Sequence, residues 1–295
     1  MVRNPILIVL ALALLCGALA LLAAWLLPAR EPPPAPEGPP RIVCLIPPIT
    51  DTLFQIGAGE HVVGRSDYCE YPPKVLALPT CGTTLHPNLE AIARLEPTLI
   101  VGENSVQAAR GQLGSLARAV FLPWLTRDDV VDSTRELGRL TGRDQAANEL
   151  ADELAAALPR APGPGAPRVL LAMPHQIGRM HSVWFLRRNC LHGSVLHAAG
   201  GRNAVDEDIT GTPSLSLERV LELDPDVVIV LHAAFELADS DRDRLLADWR
   251  ELKTLRAARE GRIGVLHGRL IYPAGRDILT LIEILRAEIA RQNHD

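Results

Sequence analysis

The sequence predicts an α/β fold of two Rossmann-like lobes, each built on a parallel sheet. The first basis is an internal repeat: "NLEAIARLEPTLIVG" begins at Asn88, and "SLERVLELDPDVVIV" begins at Ser216, 128 residues later. Stacked repeat arrays recur every ~20–50 residues, so this longer spacing indicates two similar lobes. The second basis is that both copies end in leucine and β-branched residues, which is typical of a parallel strand covered on both faces.

Both copies also predict the same helix start. Asn88 and Ser216 are residue types that cap a helix N-terminus. A glutamate follows in each first turn, Glu90 or Glu218, where the helix dipole favours negative charge. Taken from the residues alone, both glutamates are interpreted as helix-stabilising side chains.

Lobe 1 is predicted over residues 42–142. Strands and helices alternate there at the spacing of a doubly wound sheet, and the loop "RSDYCEYPPKVLALPTCGTTLHP" precedes the first repeat copy. The predicted strands are residues 41–46, 61–64, 99–101 and 119–122, and the predicted helices are residues 51–56, the start of the repeat copy and residues 106–117.

Two helical stretches follow lobe 1, at residues 128–140 and 143–158, with Gly142 between them. The second stretch carries apolar residues at i, i+3, i+4 spacing. We predict that residues 143–160 form a single long backbone helix that joins the lobes. A helical connection of this kind permits only limited hinge motion.

Lobe 2 is predicted over residues 161–295. It follows the proline- and glycine-rich stretch "PRAPGPGAPR" and ends in a long amphipathic helix. The predicted strands are residues 168–173, 182–186, 227–230 and 263–266, and the predicted helices are residues 194–199, the start of the second repeat copy, and residues 241–259 and 276–291.

The N-terminus predicts a membrane segment. Residues 6–27 are an apolar run that spans ~33 Å as a helix, enough to cross a bilayer core of ~30 Å. We favour an uncleaved transmembrane anchor within residues 1–27. A signal peptide cleaved after Ala18-Leu19-Ala20 and a lipoprotein acylated at Cys16 are the alternatives. Residues 28–41 are half proline and predict a semi-rigid linker.

The composition and the motifs exclude some classes of function. With 47% hydrophobic residues and a net charge of -5, the chain has no basic surface for nucleic acid. The glycines that begin at Gly57 are misplaced for a dinucleotide loop, and no P-loop, G-x-S-x-G or H-E-x-x-H motif occurs. The missing motifs lower the expectation of catalysis; we expect no cofactor and no metal, and interpret His175, His181, His192 and His197 as ordinary structural residues.

The cysteines Cys44, Cys69, Cys81 and Cys190 match no zinc-site spacing. They allow three pairings, of which Cys69 with Cys81 is the one to test, because both residues flank one loop. Free buried thiols that pack as small apolar side chains are the alternative.

Two facing α/β lobes predict a shared ligand cleft, because ligands bind beyond the carboxyl ends of parallel strands. Aromatic faces hold large flat ligands best, and each aromatic residue in these loops has core or rim packing as its alternative role. The predicted ligand-binding residues are Thr50, Tyr68, Thr83, His86, Glu103, Asn104, Trp184, His232 and Phe235.

Four stretches together carry a family resemblance: "RIVCLIPPITDTLFQIGAGEHVVGRSDYCEYPP", "LPTCGTTLHPNLEAIARLEPTLIVG", "HAAGGRN" and "SLERVLELDPDVVIV". They resemble the helical-backbone (class III) periplasmic substrate-binding proteins of ABC importers, which bind vitamin B12, haem or ferric siderophores. The resemblance covers residues 41–291. It implies two lobes joined by one long helix, a small-molecule ligand between them, no enzymatic activity, and a permease with its ATPase as the partner.

The resemblance also implies roles for individual residues. Glu90 and Glu218, one near the tip of each lobe, are expected to dock onto arginines of the permease. The stretch "SDYCEYPP" is similar to the tyrosine-containing loop of vitamin B12 binders, which favours a corrinoid ligand. The alternatives are haem, bound through Tyr68 or His86 with His192 also facing the pocket, and a ferric siderophore, held by Arg187 and Arg276.

We therefore expect an extracytoplasmic binding protein, tethered by its N-terminal helix to the periplasmic face of the inner membrane. Proteins of this family are usually released by signal cleavage or held by a lipid. A retained membrane helix departs from that pattern, so a non-transport sensor or scaffold derived from the family is a further alternative.

Overall fold

The computed structural model describes residues 38–103, 109–234 and 236–294. Its main architecture is a pair of four-stranded sheets. The predicted anchor over residues 1–27 and residues 28–37 of the predicted linker lie outside the described residues. Within the described ranges, no helix is both long and apolar enough to span a bilayer.

Lobe 1 contains the first parallel sheet and three helices. Its elements are β1 (Ile42–Cys44), α1 (Pro47–Gln55), β2 (Val62–Arg65), α2 (Leu89–Arg94), β3 (Leu99–Glu103), α3 (Arg110–Leu116) and β4 (Arg118–Leu122). The strand order is β2-β1-β3-β4, and all three pairings are parallel. The central strands β1 and β3 are buried almost throughout, as the lack of polar alternation predicts.

Two helices, α4 (Arg127–Thr141) and α5 (Asp144–Ala157), connect the lobes as an antiparallel hairpin. The side chain of Arg127, at the start of α4, donates hydrogen bonds to the carbonyls of Ala155 and Leu158 at the end of α5. Gly142 ends α4 in the left-handed conformation, with φ of 68°. The two helical stretches predicted on either side of Gly142 are therefore present, and the backbone helix predicted over residues 143–160 is the shorter α5, which packs against α4 instead of joining the lobes alone.

Lobe 2 contains the second parallel sheet. Its elements are β5 (Arg168–Ala172), β6 (Ser182–Trp184), α6 (Leu191–Ala198), β7 (Arg202–Asn203), β8 (Ser214–Ser216), α7 (Leu217–Leu223), β9 (Val227–His232), α8 (Asp239–Arg250), α9 (Arg256–Arg259), β10 (Ile263–His267) and α10 (Asp277–His294). The sheet order is β10-β9-β5-β7, again all parallel. The strand predicted over residues 182–186 is the shorter β6, which pairs antiparallel with β8 outside this sheet.

The two lobes have equivalent topology, which confirms the prediction from the repeat. Read from the other edge, the second sheet runs β7-β5-β9-β10 and matches β2-β1-β3-β4 of the first. The repeat copies supply α2 and β3 in lobe 1 and α7 and β9 in lobe 2. Even a rare backbone conformation recurs, because Glu96 and Asp224, each directly before a proline, have positive φ values of 44° and 39°.

A matched set of hydrogen bonds ties the entry of each first strand to its repeat copy. In lobe 1, the Arg41 amide donates to the Thr98 hydroxyl at 2.9 Å, and the Thr98 amide donates back to the Arg41 carbonyl. In lobe 2, the Arg168 amide donates to the Asp226 carboxylate at 2.8 Å, and the Asp226 amide donates back to the Arg168 carbonyl. The same two-way clamp therefore aligns β1 with β3 and β5 with β9.

One apolar core passes from lobe 1 through the helical hairpin into lobe 2. It includes Val101 of β3, Leu137 of α4, Leu150 of α5, and Leu171 and Ile229 of the second sheet. The outer faces of the two sheets have their own smaller clusters. Because buried side chains pack at crystal-like density, this shared core limits relative motion of the lobes.

The cysteines Cys44, Cys69, Cys81 and Cys190 are free and buried. The Cys69 thiol lies 3.2 Å from the hydroxyl oxygen of Thr50, in a polar contact inside lobe 1. The pairing of Cys69 with Cys81 is therefore wrong, and the alternative of free buried thiols describes the structure.

We predict that Gly138→Ala destabilises the protein by about 1–3 kcal/mol, because a methyl group there would overlap the side chain of Ala147 across the α4–α5 contact. Gly114→Ala is the matched control, since a methyl group at this α3 position meets no atom within 4 Å. Helix propensity alone makes the control substitution stabilising by roughly 0.5–1 kcal/mol. Chemical denaturation of both variants measures the difference, and equal effects would contradict the close packing of the hairpin.

A second prediction concerns the thiols. Without reductant, iodoacetamide should label all four of these cysteines after denaturation but should react slowly with the native protein. Burial protects the thiols and raises the pKa of Cys44 to about 12 and of Cys81 to about 11, which suppresses the reactive thiolate. Peptide mass spectrometry with and without reductant locates the label. If Cys69 and Cys81 are labelled only after reduction, the two cysteines form a disulfide and the prediction fails.

Candidate ligand-binding cleft

A cavity of about 440 Å³ lies between the two lobes, a volume within the ~300–1,000 Å³ range of ligand pockets. Both lobes line it, mainly through segments that follow strands. The lining residues are Ile46, Pro47, Pro48, Thr84, Glu103, Trp124 and Leu125 from lobe 1 and the segment before α4, and Phe185, Leu186, Arg187, Cys190, Leu191, His192, Gly211, Thr212, Pro213, Tyr272 and Pro273 from lobe 2.

The lobe 1 wall begins where β1 leads into α1. Pro47 and Pro48 occupy the first turn of α1, where a helix does not need their missing amide hydrogens. The Thr84 hydroxyl donates to the carbonyl of Leu45 at 2.7 Å and holds its loop against the end of β1. Glu103 is the last residue of β3, so its carboxylate is the acidic group that this sheet contributes to the cleft.

The lobe 2 wall combines apolar surface with one buried cation. Phe185 follows β6 and is almost fully buried. Arg187 is 8% exposed, and its guanidinium donates to the carbonyl of Ile209 at 2.6 Å. This bond fixes the guanidinium beside the cavity and leaves other N–H groups as donors for a ligand.

His192 and Tyr272 form an edge-to-face pair on the same wall, with ring centroids 6.1 Å apart. The Nε2 atom of His192 donates to the carbonyl of Ile271 at 2.7 Å. Burial lowers the pKa of His192 and keeps the ring neutral near pH 7. Tyr272 is 53% exposed at the cavity edge, and the burial of the remainder of its ring raises the pKa of its hydroxyl, which stays protonated.

The cleft is therefore apolar with balanced charge. Among the lining residues, Glu103 supplies the one carboxyl group and Arg187 the one guanidinium. Across the described part of the chain, no group of three or more histidine, cysteine, aspartate or glutamate side chains is arranged to hold a metal ion.

Of the nine ligand-binding residues predicted from the sequence, Glu103 lines the described cavity. Trp184 lies one residue before the lining residue Phe185 and is 47% exposed. Thr83 lies beside the lining residue Thr84, and its hydroxyl accepts a hydrogen bond from the His86 amide. A ligand-contact role for Trp184 and Thr83 remains a prediction.

The other predicted residues have different surroundings. Thr50 is fully buried in α1 and donates to the carbonyl of Ile46, so it supports a lining residue from behind. Tyr68 and His86 are exposed, and the Nδ1 atom of His232 accepts from the Ala234 amide. Their ligand contacts remain predictions, and Asn104 and Phe235 lie outside the described residues.

Several lining residues were not predicted from the sequence. Tyr272 follows β10 by a few positions, so the rule about strand ends could have found it had the last strand been included. The segment Gly211–Pro213 precedes β8 and carries no strand-end signal. Cys190 lies at the start of α6, a position that reaches the cleft only through tertiary packing, whereas His192 on the same helix lines the cavity as the haem alternative expected.

Glu90 and Glu218 lie at equivalent exposed positions in the two lobes, each in the first turn after its capping residue. Glu90 pairs with Arg94 at 2.6 Å. Hydrogen bonds from its own amide and from the Ser216 hydroxyl lower the pKa of Glu218. Both carboxylates are therefore available at the surface, one on each lobe.

The chain is similar to a known protein family over most of its length. The model of the periplasmic binding protein family matches residues 42–270. The Cobalamin-binding protein of Halobacterium salinarum is 30% identical over 202 residues, which are 65% of this chain and 53% of that protein. This chain thus spans about half the length of that relative.

Two further proteins are similar over more of their length. The Vitamin B12-binding protein of Salmonella typhimurium is 31% identical over 205 residues, 67% of this chain and 74% of that protein. The solved structure of a periplasmic heme-binding protein from Pseudomonas aeruginosa aligns with a TM-score of 0.69 at 25% identity, covering 86% of this chain and 94% of that one.

Proposed function

The chain belongs to the periplasmic binding protein family, and we propose that it is the substrate-binding protein of an ABC importer, which captures a corrinoid between its two lobes. The observation that carries the proposal is the cavity where strand ends of both lobes meet. Such a protein binds and releases its ligand unchanged, so no catalytic activity is proposed.

The chemistry of the cleft supports a corrinoid. Its apolar and aromatic surface suits a large flat ring system, and the single pair of opposite charges, Glu103 and Arg187, suits a ligand whose side chains are mostly neutral amides. Arg276, the second candidate for holding an anionic ferric siderophore, is paired with Glu153 at 3.0 Å and does not line the cleft. The curated relatives at 30–31% identity carry cobalamin or vitamin B12 in their names.

Haem is the second candidate, supported by the similarity to the Pseudomonas aeruginosa protein. The difficulty for haem is the axial ligand that its iron needs from the protein. Tyr272 would have to lose a proton to bind ferric iron well, and its raised pKa opposes this loss. His192 uses Nε2 for the bond to Ile271, which leaves Nδ1 as its ligating atom.

We further propose that the protein works outside the cytoplasm, on the periplasmic face of the inner membrane. The predicted N-terminal anchor would keep it near its permease, and tethering raises the local concentration of a binding partner. Glu90 and Glu218 would then contact arginines of the permease, one from each lobe. A sensor or scaffold that binds a ligand without transport is the alternative for a permanently anchored protein.

Titration of the purified full-length chain with cyanocobalamin, haemin and a ferric hydroxamate siderophore tests the ligand. We expect cyanocobalamin to bind, and Tyr272→Ala to weaken binding about tenfold, which corresponds to ~1.4 kcal/mol for one aromatic contact. Leu76→Ala is the control, because this exposed side chain lies outside the cavity lining. Absorbance and tryptophan fluorescence report binding; preference for haemin supports the second candidate, and no binding of any compound contradicts transport of these ligands.

The docking proposal has a separate test. Reversal of both charges, Glu90→Lys with Glu218→Lys, should leave cyanocobalamin affinity unchanged and abolish uptake in cells that depend on this chain for cobalamin. The same reversal at Glu149 and Glu283, exposed carboxylates on α5 and α10, should leave uptake unchanged. Normal uptake with the Glu90 and Glu218 double variant would show that these residues do not dock.

A further inference from the structure

Four side chains join the lobes beside the cleft, and we refer to them as the lobe-bridging cluster. Asp51 lies on α1, and Tyr71 lies on the loop after β2, both in lobe 1. Arg269 lies on a short 3-10 turn after β10, and Asp277 begins α10, both in lobe 2. The cluster thus connects two parts of the fold whose members are 198 to 226 residues apart in sequence (269 − 71 and 277 − 51).

Arg269 is the centre of this cluster. Its guanidinium lies 3.6 Å from the Asp51 carboxylate and also pairs with the Asp277 carboxylate. Its Cζ atom lies 3.7 Å from the centre of the Tyr71 ring, in a cation–π contact. Asp51 is 6% exposed, so its ion pair is shielded from water on the lobe 1 side.

Gln55 adds a second connection from α1 to the same part of lobe 2. Its amide nitrogen donates to Asp51 at 3.3 Å and to the carbonyl of Ala274 at 3.2 Å. Its amide oxygen accepts from the Arg276 amide at 2.8 Å. Residues 269–277 are therefore held to α1 by side-chain and backbone contacts.

The 269–277 segment supplies part of the cleft wall. Tyr272 and Pro273 line the cavity, and the carbonyl of Ile271 accepts the hydrogen bond from His192. Any displacement of this segment from α1 would move Tyr272 and would remove the partner that orients His192. The contacts of Arg269 thus reach the ligand site without Arg269 lining it.

We infer that Arg269 is a positioning residue of the ligand cleft, which sets the place of Tyr272 by bridging Asp51 and Tyr71 of lobe 1 to Asp277 of lobe 2. The inference rests on the proposed binding function for its effect on a ligand. The bridge itself exists in the ligand-free protein and can be tested without one.

The cluster should also respond to protons, because Asp51 is a buried carboxylate that shares Arg269 with Asp277. Burial, with a further contribution from Asp277, raises the pKa of Asp51 to about 6, although the hydrogen bond from Gln55 and the charge of Arg269 oppose the shift. The ordinary pKa of an aspartate is 3.8. The contribution of Asp51 to the stability of the fold is therefore fully present below that pH and is lost as the pH rises through about 6. Mild acid therefore favours the folded protein over the unfolded chain.

The test uses the full-length chain with Arg269→Gln, Arg269→Lys and Asp51→Asn. Arg139→Gln is the matched control, since Arg139 forms its ion pair with Glu136 within the same helix, α4. Cyanocobalamin and haemin are the probes. We expect Arg269→Gln to weaken binding of the bound probe at least tenfold, Arg269→Lys to recover part of this loss by keeping the ion pairs, and Arg139→Gln to change nothing.

Two measurements on the ligand-free protein separate this inference from the proposed function. Hydrogen exchange of the 269–277 segment should be faster in Arg269→Gln than in the wild type and the control. Asp51→Asn should raise the melting temperature by on the order of 5 °C at pH 7.5, with a smaller gain at pH 4.5, because the amide removes the cost of the buried charge.

Different outcomes contradict the positioning role, the proton response and the ligand assignment. Unchanged exchange in Arg269→Gln, or unchanged probe affinity in a variant that only melts earlier, overturns the positioning role. A melting temperature that Asp51→Asn lowers equally at both pH values overturns the proton response. If the wild type binds neither probe while exchange responds as expected, the ligand assignment fails and the bridge stands.

Discussion

The close packing of α4 on α5 fixes the two sheets relative to one another, and the cleft depends on it. Each lobe has an apolar inner sheet face, and side chains of both faces and of the hairpin belong to a single core that extends through the molecule. Gly138 lets the helices approach closely enough for this, because its missing side chain leaves room for Ala147. The strand ends of both sheets are thereby held at a constant separation, which defines the volume open to a ligand.

The cleft also shows how few polar groups such a site needs. Arg187 and Glu103 are the charged lining residues at neutral pH, since burial keeps His192 neutral. A buried guanidinium must be compensated, and the carbonyl of Ile209 does this in part. Affinity for a bulky ring would then come mainly from apolar contact, while the two charges and the remaining donors would fix its orientation.

The repeat, the strand positions and the two-lobe architecture could be predicted from the sequence, because buried parallel strands are apolar throughout and helix starts carry capping residues. The helix predicted over residues 143–160 is the shorter α5, and its packing against α4 was not predicted, because periodicity and Gly142 locate the two helices without showing how they pair. Within the cleft, the rule of strand ends led to Glu103 and to neighbours of Phe185 and Thr84. It could not reveal Cys190, which reaches the cavity from a helix start, and it did not show that Thr50 points inward. Neighbours one residue apart on a loop or helix face different sides, and only the packed structure decides which side faces the ligand.

The two-way clamp between the first strand and the repeat copy is present in both lobes, although different residue types form it. Thr98 and Asp226 occupy corresponding places, and each presents a side-chain oxygen to the backbone of the first strand. The two lobes share the acceptor atom at this place but not the amino acid that carries it. At this position the two lobes resemble each other in the side-chain oxygen that accepts the hydrogen bond. An alignment scored on residue identity alone does not detect this resemblance.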